Sequence, residues 1–340
     1  MKLSTNLWKF LSVAVFGFIL AACGASPSSS KTTTTSKATH AKYVFYVINH
    51  GCPSDPFWIQ DNNGVEAAAK LLAPDGVTVR LVGLTSSQCG SVAAEVNNLE
   101  TAIAAHPNGI AVTIVSPTAF GSALKQAMAA GIPVVAYNSI PHNNNPSVNP
   151  FDAYVGETNY SAGVEDAQRA ASQFSLSSGD TVVVVDHEPT NISLTSRLNG
   201  IESVLKPMGV NVQVINTSDN ISSGISLVSS YFATHKNVKA IFCLGPIGIQ
   251  QAVGGLKAQH ISPFPPITSF DLDSVTLHYI QNGDVAYTID QQPFLQGFDA
   301  VMELYQAARW GSAPVNIYTG PTVLDKAHLG PLSEINETGY

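Results

Sequence analysis

Polar and aromatic side chains stand directly after short apolar runs of this sequence. Asp55, Phe57 and Trp58 follow the first run, Tyr43 to Asn49, and Asp271 follows a later one. A pyranose or furanose presents an apolar C–H face and a rim of hydroxyl groups, which suit aromatic rings and charged or amide side chains. This pattern indicates a site for a small polyhydroxylated molecule.

These residues also have purely structural alternatives. Phe57 and Trp58 are adjacent, as in the first turn of a helix that faces a core. Asp271 precedes a helical run that begins at Ser274, so its carboxylate is also placed to cap that helix. The next apolar run ends in further polar groups, Asp290 to Gln292, which favours binding over capping for Asp271.

Motifs of nucleotide, hydrolase and metal chemistry are absent from the sequence. There is no GxxxxGK[ST] loop, no GxSxG elbow and no CxxC pair, and His187 to Asn191 lacks the second histidine of HExxH. The nine histidines are scattered, which favours solvated or locally hydrogen-bonded roles. The sequence therefore predicts no catalytic residue, no metal site and no cofactor.

The charge balance argues against a nucleic-acid partner. The 340 residues include 16 Lys and Arg against 24 Asp and Glu, so the net charge is −8, and only 12% of the residues are charged. Binding to a phosphate backbone requires clustered cations that displace counterions. We expect a small uncharged solute instead, bound by a protein of two domains at about 150 residues each.

The first 23 residues have the features of a bacterial export signal. Lys2 and Lys9 form a basic start, and the apolar run Phe10 to Leu20 is shorter than the roughly 20 residues that span a bilayer. The run ends in Leu20 to Cys23, which resembles a lipoprotein signal whose cysteine is lipidated. Residues 24–42 are mostly small and polar, which predicts a disordered tether. The expected location is extracytoplasmic, lipid-anchored through Cys23 or periplasmic, and a plain secretory signal is the alternative.

Three further cysteines lie beyond this signal. Cys52 and Cys89 stand in glycine-flanked loops, and Cys243 lies within an apolar run. Export exposes the chain to oxidising conditions, and loops that follow neighbouring parallel strands leave the same edge of a sheet. We therefore predict a disulfide between Cys52 and Cys89, with two independent thiols as the alternative. Cys243 is predicted to be a buried free thiol.

The pattern of βαβ units begins at Tyr43, where short runs rich in Val and Ile alternate with helix-length amphipathic segments. The series occurs twice, and most positions of each run are apolar, as in parallel sheets that helices cover on both faces. The predicted strands are Tyr43 to Asn49, Val77 to Gly83, Gly109 to Val115, Pro133 to Tyr137, Thr181 to Asp186, Val210 to Asn216, Ala240 to Leu244 and Ile267 to Phe270. The fold class is therefore α/β with two similar halves, in which ligands bind beyond the carboxyl ends of the strands.

Four segments stand in a characteristic order after the signal: Asp55 to Trp58, Gly131 to Asn138, Thr268 to Asp271 and Ile289 to Gly297. Together they resemble the type I periplasmic sugar-binding proteins, the ribose-binding-like solute receptors of ABC importers. The resemblance implies two Rossmann-like domains with parallel sheets, joined by a three-segment hinge. The implied domains are residues 43–156 with 292–318, and residues 157–291 with 319–340.

The resemblance also implies which residues bind the ligand. By position, the polar ligand residues are Asp55, Ser116, Asn138, Asp271 and Gln291, and the ring-stacking residues are Phe57 and Trp58. Arg197 fits the arginine of the second domain if the loop Glu188 to Ser193 folds inward, and Asn191 is the alternative.

Two departures from the ribose-type pattern limit what the resemblance implies about the ligand. Asn138-Ser139 stands where an acid and an arginine are usual, and Gly245-Pro246 stands where Asn-Asp is common. The expected ligand class is therefore a monosaccharide or a sugar alcohol, and no particular sugar is predicted.

The function implied by the resemblance involves no chemistry. We expect a monomeric, extracytoplasmic solute-binding lipoprotein that closes on a sugar or polyol and delivers it to the permease of an ABC importer. One alternative is a sensory receptor that presents a sugar or furanosyl signal to a chemoreceptor or kinase. Another is an exported α/β carbohydrate enzyme, which would need suitably spaced paired carboxylates.

Overall fold

The structure is a computed structural model that describes residues 42–330 except 54 and 56, all within one compact unit. The predicted signal with Cys23, the tether before residue 42 and the last ten residues of the predicted C-terminal domain lie outside the described residues. Among the described residues, no helix combines the length and the apolar composition needed to cross a bilayer.

Strands and helices alternate along the chain, as the periodicity predicts. The strands are β1 (Tyr43–Ile48), β2 (Val77–Val82), β3 (Gly109–Val112), β4 (Val134–Tyr137), β5 (Ala153–Gly156), β6 (Thr181–Asp186), β7 (Asn211–Asn216), β8 (Ala240–Cys243), β9 (Ile267–Phe270), β10 (Tyr287–Asp290), β11 (Ile317–Tyr318) and β12 (Thr322–Asp325). The helices are α1 (Phe57–Leu72), α2 (Val92–Ala104), α3 (Gly121–Ala129), α4 (Asn159–Gln173), α5 (Ile192–Leu205), α6 (Ile221–Thr234), α7 (Pro246–Ala258), α8 (Ser274–Asn282) and α9 (Pro293–Trp310).

The strands form two sheets with the same internal order. The first sheet runs β11-β5-β4-β3-β1-β2 and the second runs β12-β10-β9-β8-β6-β7. The pairs of the first sheet are parallel, and in the second only β12 runs antiparallel to its neighbour β10. We call the first sheet with α1, α2, α3 and α9 the first lobe, and the second sheet with α4 to α8 the second lobe. The predicted fold class, two Rossmann-like α/β units of parallel strands, is confirmed.

Burial on both faces explains why the central strands, such as β1, β4 and β8, are apolar at nearly every position. In β1, Phe45 and Val47 pack into the cluster that contains residues of α1 and α9, whereas Tyr46 and Ile48 pack into the cluster of α2 and α3. Fully burying one such aliphatic or aromatic side chain contributes about 1.5 to 3 kcal/mol. A polar substitution on either face of β1 would therefore be destabilising.

The ends of the helices follow local signals in the sequence. Helix α1 ends at Leu72 and is followed by a 3₁₀ turn, Ala73–Asp75. Gly76 closes that turn with a φ of 79°, a conformation that glycine adopts without steric cost. At the start of α2, Ser91 caps the helix and accepts a hydrogen bond from the backbone of Ala94.

The chain passes between the two sheets three times. These crossings follow β5, follow β10 and join β11 to β12. Helices α4 and α9 begin directly after the first two crossings, and each packs against a helix of the lobe that it enters. The carboxyl ends of most strands of both sheets therefore point toward one cleft between the lobes.

Candidate functional site

A cavity lies between the lobes, beyond the carboxyl ends of the strands. Its lining comes from both lobes and consists of His50, Cys52, Asp55, Phe57, Trp58, Asn138, His187, Glu188, Asn191, Ser193, Leu194, Arg197, Asp219, Leu244, Gly245, Pro246, Ile247, Asp271 and Gln291. Every candidate binding residue from the sequence except Ser116 lines this cavity.

Three rings form the aromatic wall of the first lobe. Trp58 is buried and contacts Phe57 and His50 edge to face, with ring centroids 5.0 and 4.8 Å apart. Gly51 permits this packing, because a Cβ on it would lie 2.6 Å from Cγ and Cδ2 of Trp58. Phe57 and Trp58 do form the first turn of α1, and that turn lines the cavity rather than the core alone.

Asp55 precedes this turn and presents a carboxyl group to the cavity. Its Oδ1 accepts a hydrogen bond from the backbone of Phe57 at 3.0 Å. Burial raises the pKa of Asp55 to about 7, and the charges of Asp271 and Glu188 add to this increase, whereas the Phe57 hydrogen bond opposes it. A donor from a ligand hydroxyl group would stabilise the ionised form of Asp55.

A disulfide holds the loop that carries Asp55. Cys52 and Cys89 are bonded, with their Cα atoms 5.5 Å apart, and they connect the loops after β1 and β2. Cys52 O accepts a hydrogen bond from the backbone of Asp55, and Leu84 N donates one to Gly51 O across the same two loops. The remaining described cysteine, Cys243, is a buried free thiol in β8.

Arg197 on α5 organises the wall of the second lobe. This side chain is buried, and its charge lies 3.6 Å from Asp271 Oδ2 and 3.5 Å from Glu157 Oε2. Its Nε donates to Asn159 Oδ1 at 2.9 Å and its Nη1 donates to Leu244 O at 2.8 Å. A buried guanidinium requires such partners, because an unpaired buried charge is costly.

Asp271 follows β9 in a left-handed backbone conformation, with a φ of 70°. The residue that caps the following helix is Asp273, whose side chain accepts from the backbone of Thr276, so Asp271 is not the cap of α8. Burial raises the pKa of Asp271, whereas the charge of Arg197 and a hydrogen bond from Gln291 lower it. Asn138 occupies the matching position after β4 and also has a positive φ, 58°. Such strained positions cluster at ligand sites.

A line of hydrogen-bonded side chains connects these two residues through the second crossing. Asn138 Nδ2 donates to Gln296 Oε1 at 2.9 Å, and Gln296 Nε2 donates to Gln291 Oε1 at 3.0 Å. Gln291 Nε2 then donates to Asp271 Oδ1 at 2.6 Å. These hydrogen bonds link Asn138 of the first lobe to Asp271 of the second lobe. They therefore hold the two side chains in fixed positions relative to each other.

Acidic groups surround the part of the cavity near the start of α5. Glu188 is half-buried, and its Oε2 accepts a hydrogen bond from Asn191 Nδ2 at 2.8 Å. Burial raises the pKa of Glu188 to about 7, and the neighbouring charges of Asp219 and Asp186 contribute. Asn191 also caps α5 by accepting from the backbone of Ser193. The loop 188–193 is therefore folded inward. This is the condition under which we expected Arg197 to take the place of the arginine of the second domain.

Two hydrogen bonds are among the direct contacts between the lobes. The hydroxyl groups of Ser139 and Ser193 lie 2.8 Å apart, and Gln60 Nε2 donates to Leu272 O. Ser139 occupies the position at which the ribose-type pattern has an arginine. The structure therefore has the lobes closed on the cavity, with short polar side chains in place of a charged group.

Ser116 differs from its expected place, because it does not line the cavity. Its hydroxyl accepts the backbone N–H groups of Thr118 and Ala119, and so it stabilises the turn before α3. The lining residues that the sequence analysis did not propose include four ionisable ones, His50, His187, Glu188 and Asp219. Their positions in the sequence could have identified them, because they follow the ends of β1, β6 and β7.

The site combines aromatic faces, carboxyl groups, amides and one arginine, which suits stacking on a C–H face and hydrogen bonds to hydroxyl groups. Within residues 42–330, with the gaps at 54 and 56, no three His, Cys, Asp or Glu side chains are arranged to hold a metal ion.

Comparison with known proteins identifies the family of this chain. The family described as "Periplasmic binding protein domain" matches residues 45–312. The xylose/arabinose-binding protein of Sulfolobus acidocaldarius is 31% identical over 305 residues, which cover 86% of this chain and 73% of the relative. A periplasmic sugar-binding protein of an ABC sugar transporter from Legionella pneumophila is 29% identical with a TM-score of 0.75, over 82% of this chain and 100% of that one. A carbohydrate transporter protein from Acidothermus cellulolyticus, solved with myo-inositol, is 28% identical with a TM-score of 0.74, over 86% of this chain and 97% of that one. This chain therefore belongs to the type I periplasmic sugar-binding proteins, which are substrate-binding transport proteins and not enzymes.

Proposed function

We propose that this chain is the solute receptor of an ABC importer and that it binds one monosaccharide or sugar alcohol in the cleft between its lobes. The observation that carries the proposal is the pairing of an aromatic wall, Trp58 and Phe57, with hydrogen-bonding groups from the opposite lobe, Asp271 and Arg197. A ring-shaped polyol offers one apolar face and a polar rim, so it satisfies both walls at once.

The ligand candidates are pentoses and cyclitols. The relative from Sulfolobus acidocaldarius is named for xylose and arabinose, and the structure from Acidothermus cellulolyticus contains myo-inositol. These compounds are uncharged and rich in hydroxyl groups. They match a cavity with many hydrogen-bond acceptors, Asp55, Asp271 and Glu188 among them.

Closure of the lobes supplies the affinity. Ring stacking and charge-assisted hydrogen bonds become stronger in a cleft from which water is excluded, and this gain must exceed the entropy lost by ligand and hinge. The three crossings are the segments about which the lobes would rotate. Ser139, Ser193 and Gln60 are the side chains whose contacts would form at closure.

The location follows from the N-terminal sequence. Lipid on Cys23 would hold the receptor at the membrane, and residues 24–42 would act as the tether between the lipid and the folded lobes. The partner in the membrane would be the permease of the importer. Replacing Cys23 with Ser should abolish incorporation of a labelled fatty acid into the receptor, and undiminished labelling would contradict the lipid anchor.

A thermal-shift screen of the purified protein tests the ligand class. Xylose, arabinose and myo-inositol are the compounds to add, with glycine and a sugar phosphate as controls. A ligand at 100 times its dissociation constant stabilises a folded protein by about 2.7 kcal/mol, which raises the melting temperature measurably. We expect at least one of the three compounds to do so. No shift with these three or with a broader set of hexoses and polyols would contradict the proposal.

A further inference from the structure

A buried row of polar side chains connects helix α2 with His50 in the cleft. Glu95 lies on α2 and Thr113 lies directly after β3, and both are fully buried. His50 follows β1 and lines the cavity, where its ring packs edge to face against Trp58. Neither Glu95 nor Thr113 lines the cavity, so any effect of Glu95 on a ligand must act through His50.

Thr113 Oγ1 is the centre of this row and has three hydrogen-bond partners. The backbone N–H of His50 donates to it at 3.2 Å, Nδ1 of the same ring lies 2.9 Å away, and Glu95 Oε1 is the third partner. A hydroxyl group has one proton to donate and two lone pairs to accept with. Because the backbone N–H occupies one lone pair, Thr113 must donate a hydrogen bond to one of the two side chains and accept one from the other. The two side-chain hydrogen bonds therefore have the same donor-to-acceptor direction along the row.

Two directions satisfy this condition. If Glu95 is a carboxylate, Thr113 donates to it and accepts from Nδ1–H of His50, which leaves Nε2 as an acceptor toward the cavity. If Glu95 is a carboxylic acid, it donates to Thr113, and Thr113 donates to Nδ1. The imidazole proton then lies on Nε2, and His50 is a donor toward the cavity.

The surroundings of Glu95 favour the second direction. Burial raises the pKa of Glu95 to about 8 and lowers the pKa of His50 to about 3, so both groups are neutral near pH 7. Glu95 Oε2 is buried without a hydrogen-bond partner. An unpaired carbonyl oxygen is better tolerated in a protein interior than an unpaired donor, so the acid proton belongs on Oε1, which faces Thr113.

We propose that Glu95 is a positioning residue: as a neutral carboxylic acid acting through Thr113, it holds the proton of His50 on Nε2, so that His50 donates a hydrogen bond to an oxygen atom of the ligand. This inference rests on the proposed function for the identity of the ligand as a sugar or polyol. Asp55 and Asp271 are acceptors when ionised, so a fixed donor on the first lobe complements them. Sites built to hydrogen-bond a given oxygen discriminate strongly against analogues that lack it.

Nitrogen-15 NMR of the histidine rings tests the inference directly. The two neutral tautomers differ in which ring nitrogen carries the proton, and a His50→Gln variant assigns the signals. We expect the wild-type protein at pH 7, without ligand, to show His50 protonated on Nε2. Protonation on Nδ1 would overturn the inference. Because no ligand is present, this result is independent of whether xylose, arabinose or myo-inositol binds, and failure of all three to bind would contradict the proposed function only.

Two variants extend the test to binding. Glu95→Gln has an amide donor in place of the acid proton, so the tautomer should be unchanged and the affinity for xylose, arabinose or myo-inositol should stay within about twofold. Thr113→Val removes the hydrogen bond that holds the imidazole ring, so the affinity should fall by about three- to tenfold, the range for one hydrogen bond. A Glu95→Gln variant with the proton on Nδ1, or a Thr113→Val variant with unchanged affinity, would overturn the inference.

The chain offers a matched control for the relay. Thr268 is a fully buried strand residue in the second sheet, and its hydroxyl donates to the buried carboxyl group of Asp166. Thr268→Val therefore removes the same kind of hydrogen bond outside the cleft. It should lower stability without moving the His50 signals or the affinity. If it lowers the affinity as much as Thr113→Val does, the effect is general destabilisation and the inference is wrong.

Discussion

Arg197 and Asp271 form a buried ion pair at the cleft, with Nη1 of the arginine 3.6 Å from Oδ2 of the aspartate. The other carboxylate oxygen of Asp271 accepts from Gln291 in the second crossing. The carboxyl group of Asp271 thus contacts Arg197 of the second lobe, Gln291 of the second crossing and the cavity. This relationship explains how closure of the lobes and contact with a ligand can depend on the same residue.

Replacing Asp271 with Asn should weaken sugar binding at least about tenfold, because a charged acceptor becomes a neutral one and hydrogen bonds to charged groups contribute about 1.5 to 3 kcal/mol. Titration calorimetry measures the change. The control is Asp273→Ala, which removes the cap of α8 and should lower the melting temperature without altering affinity. Normal binding by Asp271→Asn would exclude a ligand contact for this residue.

Replacing Trp58 with Ala should weaken binding by about 1.5 to 3 kcal/mol, the range for burial of a large apolar group. The chain has three tryptophans, Trp8, Trp58 and Trp310, and Trp8 lies in the predicted signal. Ligand-induced fluorescence change in the processed protein should therefore disappear in Trp58→Ala and persist in Trp310→Ala, since Trp310 is 63% exposed. The opposite result would place the stacking surface elsewhere.

Stability should fall as the pH rises from about 5 to 8. Burial raises the pKa of Asp61 to about 8 and that of Asp166 to about 7, whereas in the unfolded chain both would titrate near 3.8. The folded state therefore binds more protons than the unfolded state within this window, and its free energy of unfolding decreases with pH. Urea denaturation at pH 5, 6, 7 and 8 measures the slope. Asp61→Asn and Asp166→Asn should each flatten it, and a stability that increases over this window would contradict the assignment.

The disulfide should stabilise the first lobe. Cys52 and Cys89 are 37 positions apart, and closing a loop of this size contributes roughly 3 to 4 kcal/mol in the chain-entropy account. The double variant Cys52→Ser/Cys89→Ser should lower the free energy of unfolding by about this amount. It should also weaken ligand binding, because the loop holds Asp55. Mass spectrometry of a non-reduced digest checks the bond itself, and separate free peptides from oxidised protein would contradict it.

The sequence predicted the strands and the cleft residues at their ends more successfully than it predicted the buried polar contacts. Asp271 and Asn138 were identifiable because each directly follows an apolar run, and strand ends in a parallel sheet meet at one edge. Ser116 also follows an apolar run, yet its hydroxyl accepts a hydrogen bond from the backbone of its own turn. The sequence does not reveal whether such a side chain bonds to the local backbone or faces the cavity. Glu95 resembles a surface residue of an amphipathic helix, and its burial results from packing against distant residues such as Thr113.

The account rests on the claim that one sugar or polyol binds between the two lobes. Isothermal titration calorimetry of the processed protein with xylose, arabinose and myo-inositol, repeated with Trp58→Ala from one lobe and Asp271→Asn from the other, tests it most directly. We predict one ligand per chain for at least one compound, and a loss of affinity in both variants. Saturable binding that neither variant weakens would contradict the claim, because the ligand would then lie outside the cleft.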